Sequence, residues 1–405
     1  MKAKLIGLAI GAALTAPAAY ADVTLSGNIN MGPAVVKSGD GSTNATNSLN
    51  ARGPAAQQGL TRTGIDTTYS NITIGSLEDL GGGLKLDFAY QLTSNFNTAG
   101  APAANRNSHI GLTGDSWGGV WVGTNENLYE RYLYTADPLD GAAGIGSNLS
   151  ILGTPGYGTV FDVGNGQNGP SAGFYRRTDH TIWYDSPNWG GFTFGAYTTL
   201  NAFRTNAPNN GFNPSDPHVW GLGAKYIGPV VPVQLWAAYE KHTDLFGLAV
   251  ISPGAIAATS SKDRGIQLGV GYTLGDVFLF ANWEQLKYEV EGLGGAAIDE
   301  YRRSAWSIGT KWNLPTGYIG AQYMQAQDGR CQRANGAACD ASETGAKSVG
   351  LGYYHTLSKQ TMAYVMGQYI KNDDLNFYTV AGGIGVPTNL GANVWAGTVG
   401  LKHSF

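Results

Sequence analysis

The stretch Val394–Phe405, VWAGTVGLKHSF, decides the fold. From Trp395 onward it alternates. Val399, Leu401, His403 and Phe405 fall on one side of an extended chain, and Thr398, Gly400, Lys402 and Ser404 on the other. Successive side chains of a β-strand face opposite ways, so one face here is apolar and the other polar. The sequence then stops on the ring of Phe405. An edge of a soluble sheet seldom ends flush on an exposed ring, whereas a strand with lipid on one face and water on the other can.

Composition agrees with that strand. Of 405 residues 13% are charged, about half the share usual in globular chains. Mean hydropathy is −0.16, and there are 60 Gly, 22 Tyr and 10 Trp. No apolar run of about 18 residues follows residue 21, so no transmembrane helix is expected beyond it. Residues 1–21 read as a signal peptide: Lys2 and Lys4, an apolar core from Leu5 to Leu14, and the small-x-small site Ala19-Tyr20-Ala21. Residues 22–405 are then one barrel domain. Without those two lysines, 23 basic residues face 29 acidic ones, a formal charge of −6. A chain of this charge is not expected to bind nucleic acid.

Alternation recurs along the chain. Leu84, Leu86, Phe88, Tyr90 and Leu92 oppose Lys85, Asp87, Ala89 and Gln91. Leu235 and Tyr239 oppose Trp236 and Glu240; Ile266, Leu268 and Val270 oppose Gln267; Trp306, Ile308 and Trp312 oppose Ser307 and Lys311. Short Gly- or Pro-rich connections near 81, 115, 188, 228, 275, 315 and 358 lie 34, 73, 40, 47, 40 and 43 residues apart. Long polar segments, such as 95–107 and 243–263, alternate with them. An interval near forty holds two strands and a loop. Seven turns join fourteen strands, and Val23–Met31 and Val394–Phe405 add two. The expected fold is all-β: a 16-stranded antiparallel transmembrane barrel.

The 73-residue interval does not alternate in its middle. It holds one loop of roughly fifty residues, the third, and loops this long are usually functional or disordered. Its stretch Leu128–Tyr134 is too aromatic for a solvated tail. Packing back into the lumen is the expected arrangement, and lying over the mouth is the alternative. Cys331 and Cys339 are eight apart and predict a disulfide clipping a surface loop in an exported chain, against two free thiols. The six His residues show no metal-ligand spacing, and no cofactor is expected.

With these features in view, the sequence resembles the general diffusion porins of Gram-negative outer membranes, in their β-proteobacterial branch. The matching stretches are Ala21-Asp22-Val23-Thr24-Leu25-Ser26-Gly27, Glu78-Asp79-Leu80-Gly81-Gly82-Gly83-Leu84-Lys85, Tyr184-Asp185-Ser186-Pro187-Asn188-Trp189-Gly190-Gly191-Phe192 and Gly400-Leu401-Lys402-His403-Ser404-Phe405. The resemblance implies a homotrimer in the outer membrane, among its lipid and lipopolysaccharide. It implies long loops outside the cell, a third loop forming an eyelet, and an assembly machinery that reads the Phe405 strand. It also implies basic wall residues facing acids on the third loop. Arg177 and Arg106 match two such wall positions. A third departs from the pattern: Asn71 stands where relatives often carry Arg, and Arg62 lies upstream.

The pore-constriction candidates are therefore Arg62, Lys85, Arg106, Arg176 and Arg177 on the wall, with Glu126, Glu130, Arg131 and Asp137 on the loop. Opposed charges in a narrow wet channel set a transverse field that favours ions of one sign. The plainer reading is that they are solvated loop charges. Expected function is a passive water-filled channel for ions and small hydrophilic solutes. The alternative is a solute-selective channel for sugars or organic anions, for which Tyr129, Tyr132, Tyr134 and Trp236 would be the aromatic track. Gly114-Asp115-Ser116-Trp117-Gly118 matches a nucleophile-elbow pattern but sits in a strand-to-strand turn, so no enzyme is expected.

Overall fold

The first and last strands meet. In the computed structural model, which describes residues 22–42, 47–49, 58–67, 69–93, 105–139, 144–157, 172–200, 202, 204, 216–381, 384 and 389–405, Val23–Ser38 runs antiparallel to Val394–Ser404. Phe405 extends that seam: its N–H donates to the Gly27 carbonyl at 3.1 Å, and the Gly27 N–H donates to the Phe405 carbonyl at 3.0 Å. Every other strand pairs with its neighbours in chain order, so the sheet closes on itself.

Sixteen strands make the cylinder. They are β1 (Val23–Ser38), β2 (Leu60–Asp66 and Asn71–Gly81), β3 (Leu84–Thr93), β4 (Asn105–Gly114), β5 (Gly118–Glu126), β6 (Arg177–Asp185), β7 (Phe192–Thr199) and β8 (His218–Ile227), followed by β9 (Val233–Thr243), β10 (Ser260–Leu274), β11 (Val277–Glu291), β12 (Ile298–Leu314), β13 (Gly317–Ala326 and Arg330–Arg333), β14 (Ala346–Thr356), β15 (Thr361–Asn372) and β16 (Val394–Ser404). Two of them are interrupted. The two arms of β2 pair with the two ends of β1. The two arms of β13 do the same along β12. Several strands outrun their sequence pattern. β1 continues past Met31 to Ser38, and β10 begins at Ser260 inside the expected loop. Near the rim both faces meet polar surroundings, so the apolar alternation fades there while the ladder goes on. The expected signal peptide, residues 1–21, lies outside the described residues, as does most of the 95–107 loop.

The outward face is apolar. Leu235, Ile266, Leu268, Val270, Ile308, Leu351, Val365, Val399 and Leu401 are all exposed. So are Trp189, Trp312 and Trp395 near strand ends. Such a surface suits a bilayer and not water. The opposite face is polar or aromatic and largely buried. Five large rings on it lie beside a cross-strand glycine: Trp121 beside Gly111, Tyr197 beside Gly221, Trp236 beside Gly269, Phe280 beside Gly309, and Tyr364 beside Gly400. A Cβ at any of these five would run into the ring, which therefore lies flat along the wall.

The short turns collect at one rim. Gly82 (φ 64°) and Gly83 (φ 81°) adopt a left-handed conformation that side chains resist. Gly114-Asp115-Ser116-Trp117-Gly118 is such a turn, joining β4 to β5 with no helix after it. Cys331 and Cys339 are bonded, with Cα atoms 5.6 Å apart. The longest described excursion leaves β5 at Glu126 and returns at Arg177. It begins with a helix, α1 (Leu128–Leu133), capped by Asn127, whose side chain accepts the Glu130 N–H at 2.8 Å. Leu128, Tyr129 and Leu133 of this helix are buried.

Candidate functional site

One side of the cylinder carries a connected polar network. In the ladder, Glu126 at the end of β5 faces Arg177 at the start of β6, and their side chains form an ion pair. Asn107 of β4 joins them: its carbonyl oxygen accepts from Arg177 Nε and from the Glu126 N–H, each at 3.1 Å. Next along the wall, Arg106 Nε donates to Gln91 Oε1 at 3.1 Å. The Gln91 amide in turn donates to Thr73 Oγ1 at 3.0 Å and to Asn71 Oδ1 at 3.3 Å. The Arg106 guanidinium also lies 5.2 Å from the Tyr69 ring centre. Asn71, where relatives often carry Arg, is thus the far end of an amide relay that orients Arg106.

The loop helix faces this network. Glu130 is buried and accepts the Tyr134 hydroxyl at 2.5 Å. Burial, and then the neighbouring Glu126 carboxylate, push its carboxyl up to about 7. Arg131 makes a two-pronged pair with Asp185 of β6, at 3.1 and 3.0 Å.

The rest of the loop is tied to the far wall. Tyr129 Oη and the Gly153 N–H both donate to Glu284, each at 2.9 Å. Arg303 pairs with Glu284 at 2.6 Å and donates to the Ile151 carbonyl at 2.9 Å and to that of Thr154. Gln368 accepts the Gly146 N–H at 2.9 Å and donates to Ser150 Oγ at 2.6 Å. Asn127 donates to Glu240, Gln322 to the Gly146 carbonyl, and Tyr354 to that of Leu139. These wall residues are buried, and Glu284 and Gln368 stand beside the exposed Trp283 and Tyr369, so the loop meets the face opposite the apolar band. Leu133, Ile145, Leu149, Ile151 and Leu152 pack there with Leu286, Tyr301, Met324 and Met366.

The candidates from sequence separate accordingly. Arg106, Arg177, Glu126 and Glu130 come together, with Arg131 beside them. Arg62 is exposed on the upper arm of β2, opposite Val36 and beyond the break in that strand. Lys85 stands apart at the short-turn rim, 3.2 Å from Asp115. Arg176 is buried, its guanidinium donating to the Gly173 carbonyl at 2.8 Å. Asp137 accepts the Leu139 N–H at 3.3 Å where the loop turns. Gln91 and Asn107 complete the network and had no place among the candidates, nor had the anchors Glu240, Glu284, Arg303 and Gln368.

Comparison with known proteins agrees with the geometry. Residues 7–375 match the family described as Gram-negative porin. Outer membrane porin protein 32 of Delftia acidovorans is 27% identical over the full length of both chains. A solved structure described as an anion-selective porin from Comamonas acidovorans is 22% identical, has a TM-score of 0.69, and is matched over 95% of this chain and 100% of its own. In-vitro folded OmpT of Vibrio cholerae, in its trimer form, has a TM-score of 0.58 at 13% identity, over 95% of this chain and 99% of its own. The chain belongs to the Gram-negative porin family, and it is an outer-membrane channel, not an enzyme.

Proposed function

We propose that the third loop, residues 127–176, lies across the lumen and narrows it, and that the narrowed channel passes anions in preference to cations. The observation that carries the preference is Arg106, whose hydrogen-bond and ring partners, Gln91 and Tyr69, are neutral. Around it the charges cancel: Arg177 against Glu126, and Arg131 against Asp185. Glu130, shifted to about 7, adds less than a full negative charge at neutral pH. A guanidinium in a water-filled lumen stays hydrated, so it acts on passing ions at little cost to the fold. The anion selectivity of the Comamonas porin supports the same sign.

The test is the reversal potential across a planar bilayer in a salt gradient. Arg106→Gln should lower the anion-to-cation permeability ratio by about an order of magnitude, since one unit charge at about 5 Å in water is worth roughly fourfold on the anion and roughly fourfold the other way on the cation. An unchanged ratio refutes the assignment.

A solute-selective track finds less support. Tyr129 and Trp236 are buried, the first against the wall and the second against Gly269. By family likeness the working unit is a homotrimer, and the trimer form of the Vibrio outer membrane protein supports that. Residues 1–21 would direct export, and the Phe405 strand would be the signal read by the assembly machinery.

A further inference from the structure

The ladder of the near wall slips three times along one run. Between Gly32 and Asn28 of β1, the partner strand β2 runs from Asp66 to Asn71, one residue more. Between Tyr90 and Leu92 of β3, β4 runs from Ser108 to Asn105, again one more. Between Gly123 and Asn125 of β5, β6 runs from Thr181 to Thr178, one more again. The slips follow one another around the wall: Leu92 pairs with Ile72 and with Asn105, and Ser108 pairs with Thr124. A bulge leaves one residue without a ladder partner and re-aims the side chains around it. The second bulge holds Arg106 and Asn107, and Arg177 stands beside the third. The first holds Tyr69.

The turn at Tyr69 is tied down on its C-terminal side. Its φ is 66°, in the left-handed region that bulky side chains rarely enter. Next to it, Ser70 is locked to β1. The Asn30 N–H donates to Ser70 Oγ at 2.9 Å, and that hydroxyl donates to the Asn30 carbonyl at 3.0 Å. A side chain thus supplies the rung that the bulge removes from the ladder. The Ser70 N–H donates to the Thr67 carbonyl at 3.2 Å and closes the turn. The Asn71 amide donates to the Tyr69 carbonyl at 3.0 Å. Backbone strain of this kind persists only where the surroundings enforce it, and it gathers at working sites.

What the strained turn delivers is a ring. The Arg106 guanidinium carbon lies over the Tyr69 face, 5.2 Å from its centre. β2 and β4 are separated by β3, about 10 Å of sheet in all, so ring and guanidinium reach toward each other across that strand. From β3 itself, Gln91 takes Arg106 Nε, and the group is held by two partners. A cation over an aromatic face is attracted by the ring's quadrupole while its net charge stays uncancelled. A carboxylate in the same place would hold the guanidinium and cancel it, as Glu126 does for Arg177 and Asp185 for Arg131.

We infer that Tyr69 is a positioning residue for ion selectivity: its ring, presented by the bulge in β2, fixes the Arg106 charge beside the ion path without neutralising it. The inference rests on the anion preference proposed for Arg106 and adds the residue that sets the strength of that preference. The hydroxyl takes no part; the face of the ring does the holding.

The experiment measures reversal potentials of the full-length channel in a planar bilayer under a salt gradient. Tyr69→Gly removes the ring and suits the left-handed turn, so the fold should hold. With Gln91 alone as its tether, the guanidinium ranges farther from the path. The anion-to-cation ratio should then fall about fourfold, the difference between a unit charge at about 5 Å and at about 10 Å in water, acting on both ions. Tyr69→Phe keeps the ring and should keep the wild-type ratio. In an Arg106→Gln background, Tyr69→Gly should lower the ratio no further. A wild-type ratio in Tyr69→Gly overturns the inference. So does an equal fall in Tyr69→Phe, which would assign the effect to the hydroxyl. A further fall in the Arg106→Gln background also overturns it, because the ring would then act by bulk and not through the guanidinium. If Tyr69→Gly forms no channels, Tyr69→Asn, which also tolerates a left-handed turn, is judged by the same measure. A wild-type ratio in Arg106→Gln sinks the anion assignment and this inference together. A lowered ratio there, beside a wild-type ratio in Tyr69→Gly, removes Tyr69 alone.

Discussion

The wall made by β2 to β6 and the wall made by β9 to β15 carry polar side chains at matching distances from the short turns. On the first, Gln91 holds Arg106 and Asn107 holds Arg177, which leaves the Arg106 guanidinium among neutral partners. On the second, Glu240, Glu284 and Gln368 are buried beneath the third loop. The same strand pattern yields a working surface on one side and a docking surface on the other, and the difference is which groups the loop consumes. Charge on the far wall is spent on holding backbone carbonyls and N–H groups, whereas in the function proposed above charge on the near wall is left to act on whatever passes.

The strongest way to break that contrast is at the buried pair. Arg303→Met should leave Glu284 unpaired and cost about 3–5 kcal/mol. Thermal unfolding should shift down, and the released loop should alter single-channel conductance; a wild-type trace and midpoint would remove Arg303 from the anchor. Adding Glu284→Gln should recover part of the loss. Next in size is the far wall's ring seat. Gly269→Ala pushes a methyl into Trp236 and should cost about 1–3 kcal/mol, measured by denaturant unfolding, with selectivity unmoved. The Arg106→Gln exchange described above belongs third, with its effect in selectivity and not in stability.

A smaller effect sharpens the near wall. Glu130 titrates near 7 in the folded chain, above its usual range. Raising pH from 6 to 8 ionises it and should lower the anion-to-cation ratio about twofold, and Glu130→Gln should abolish that step. The folded state holds this proton more tightly than the unfolded one, so stability falls as pH climbs from about 4.5 towards 7. Least of all, reducing Cys331–Cys339 should leave conductance and selectivity untouched, since the bond closes only a short surface hairpin.

Alternation made the cylinder readable, because a strand wet on one side must repeat every two residues. It says which side a residue faces and not how far along the axis it sits. Lys85 and Gln91 share a face of β3, yet Lys85 is the strand's second residue and belongs to the rim. Height was available by counting from the turns. Gln91, Glu240, Glu284 and Gln368 each stand seven places after the first residue of their strand, at 84, 233, 277 and 361. The breaks in β2 and β13 were not legible, because each half alternates acceptably alone and only pairing to the neighbour shows that the two belong together. The loop's anchors were hidden for a similar reason: they bond to its backbone, which carries no sequence signal.

The seam between β1 and β16 joins residues such as Asn28 and Ser404, almost the whole chain apart. Contacts between residues so distant form slowly, because the entropy of bringing the ends together is lost before the bonds reward it. Until they form, each terminal strand presents a row of unsatisfied N–H and C=O groups that a hydrocarbon environment does not tolerate and that another chain could capture. Kinetics, more than equilibrium, therefore guards this molecule: an unsealed cylinder is a template for aggregation, and a sealed one has no edge left from which to unravel.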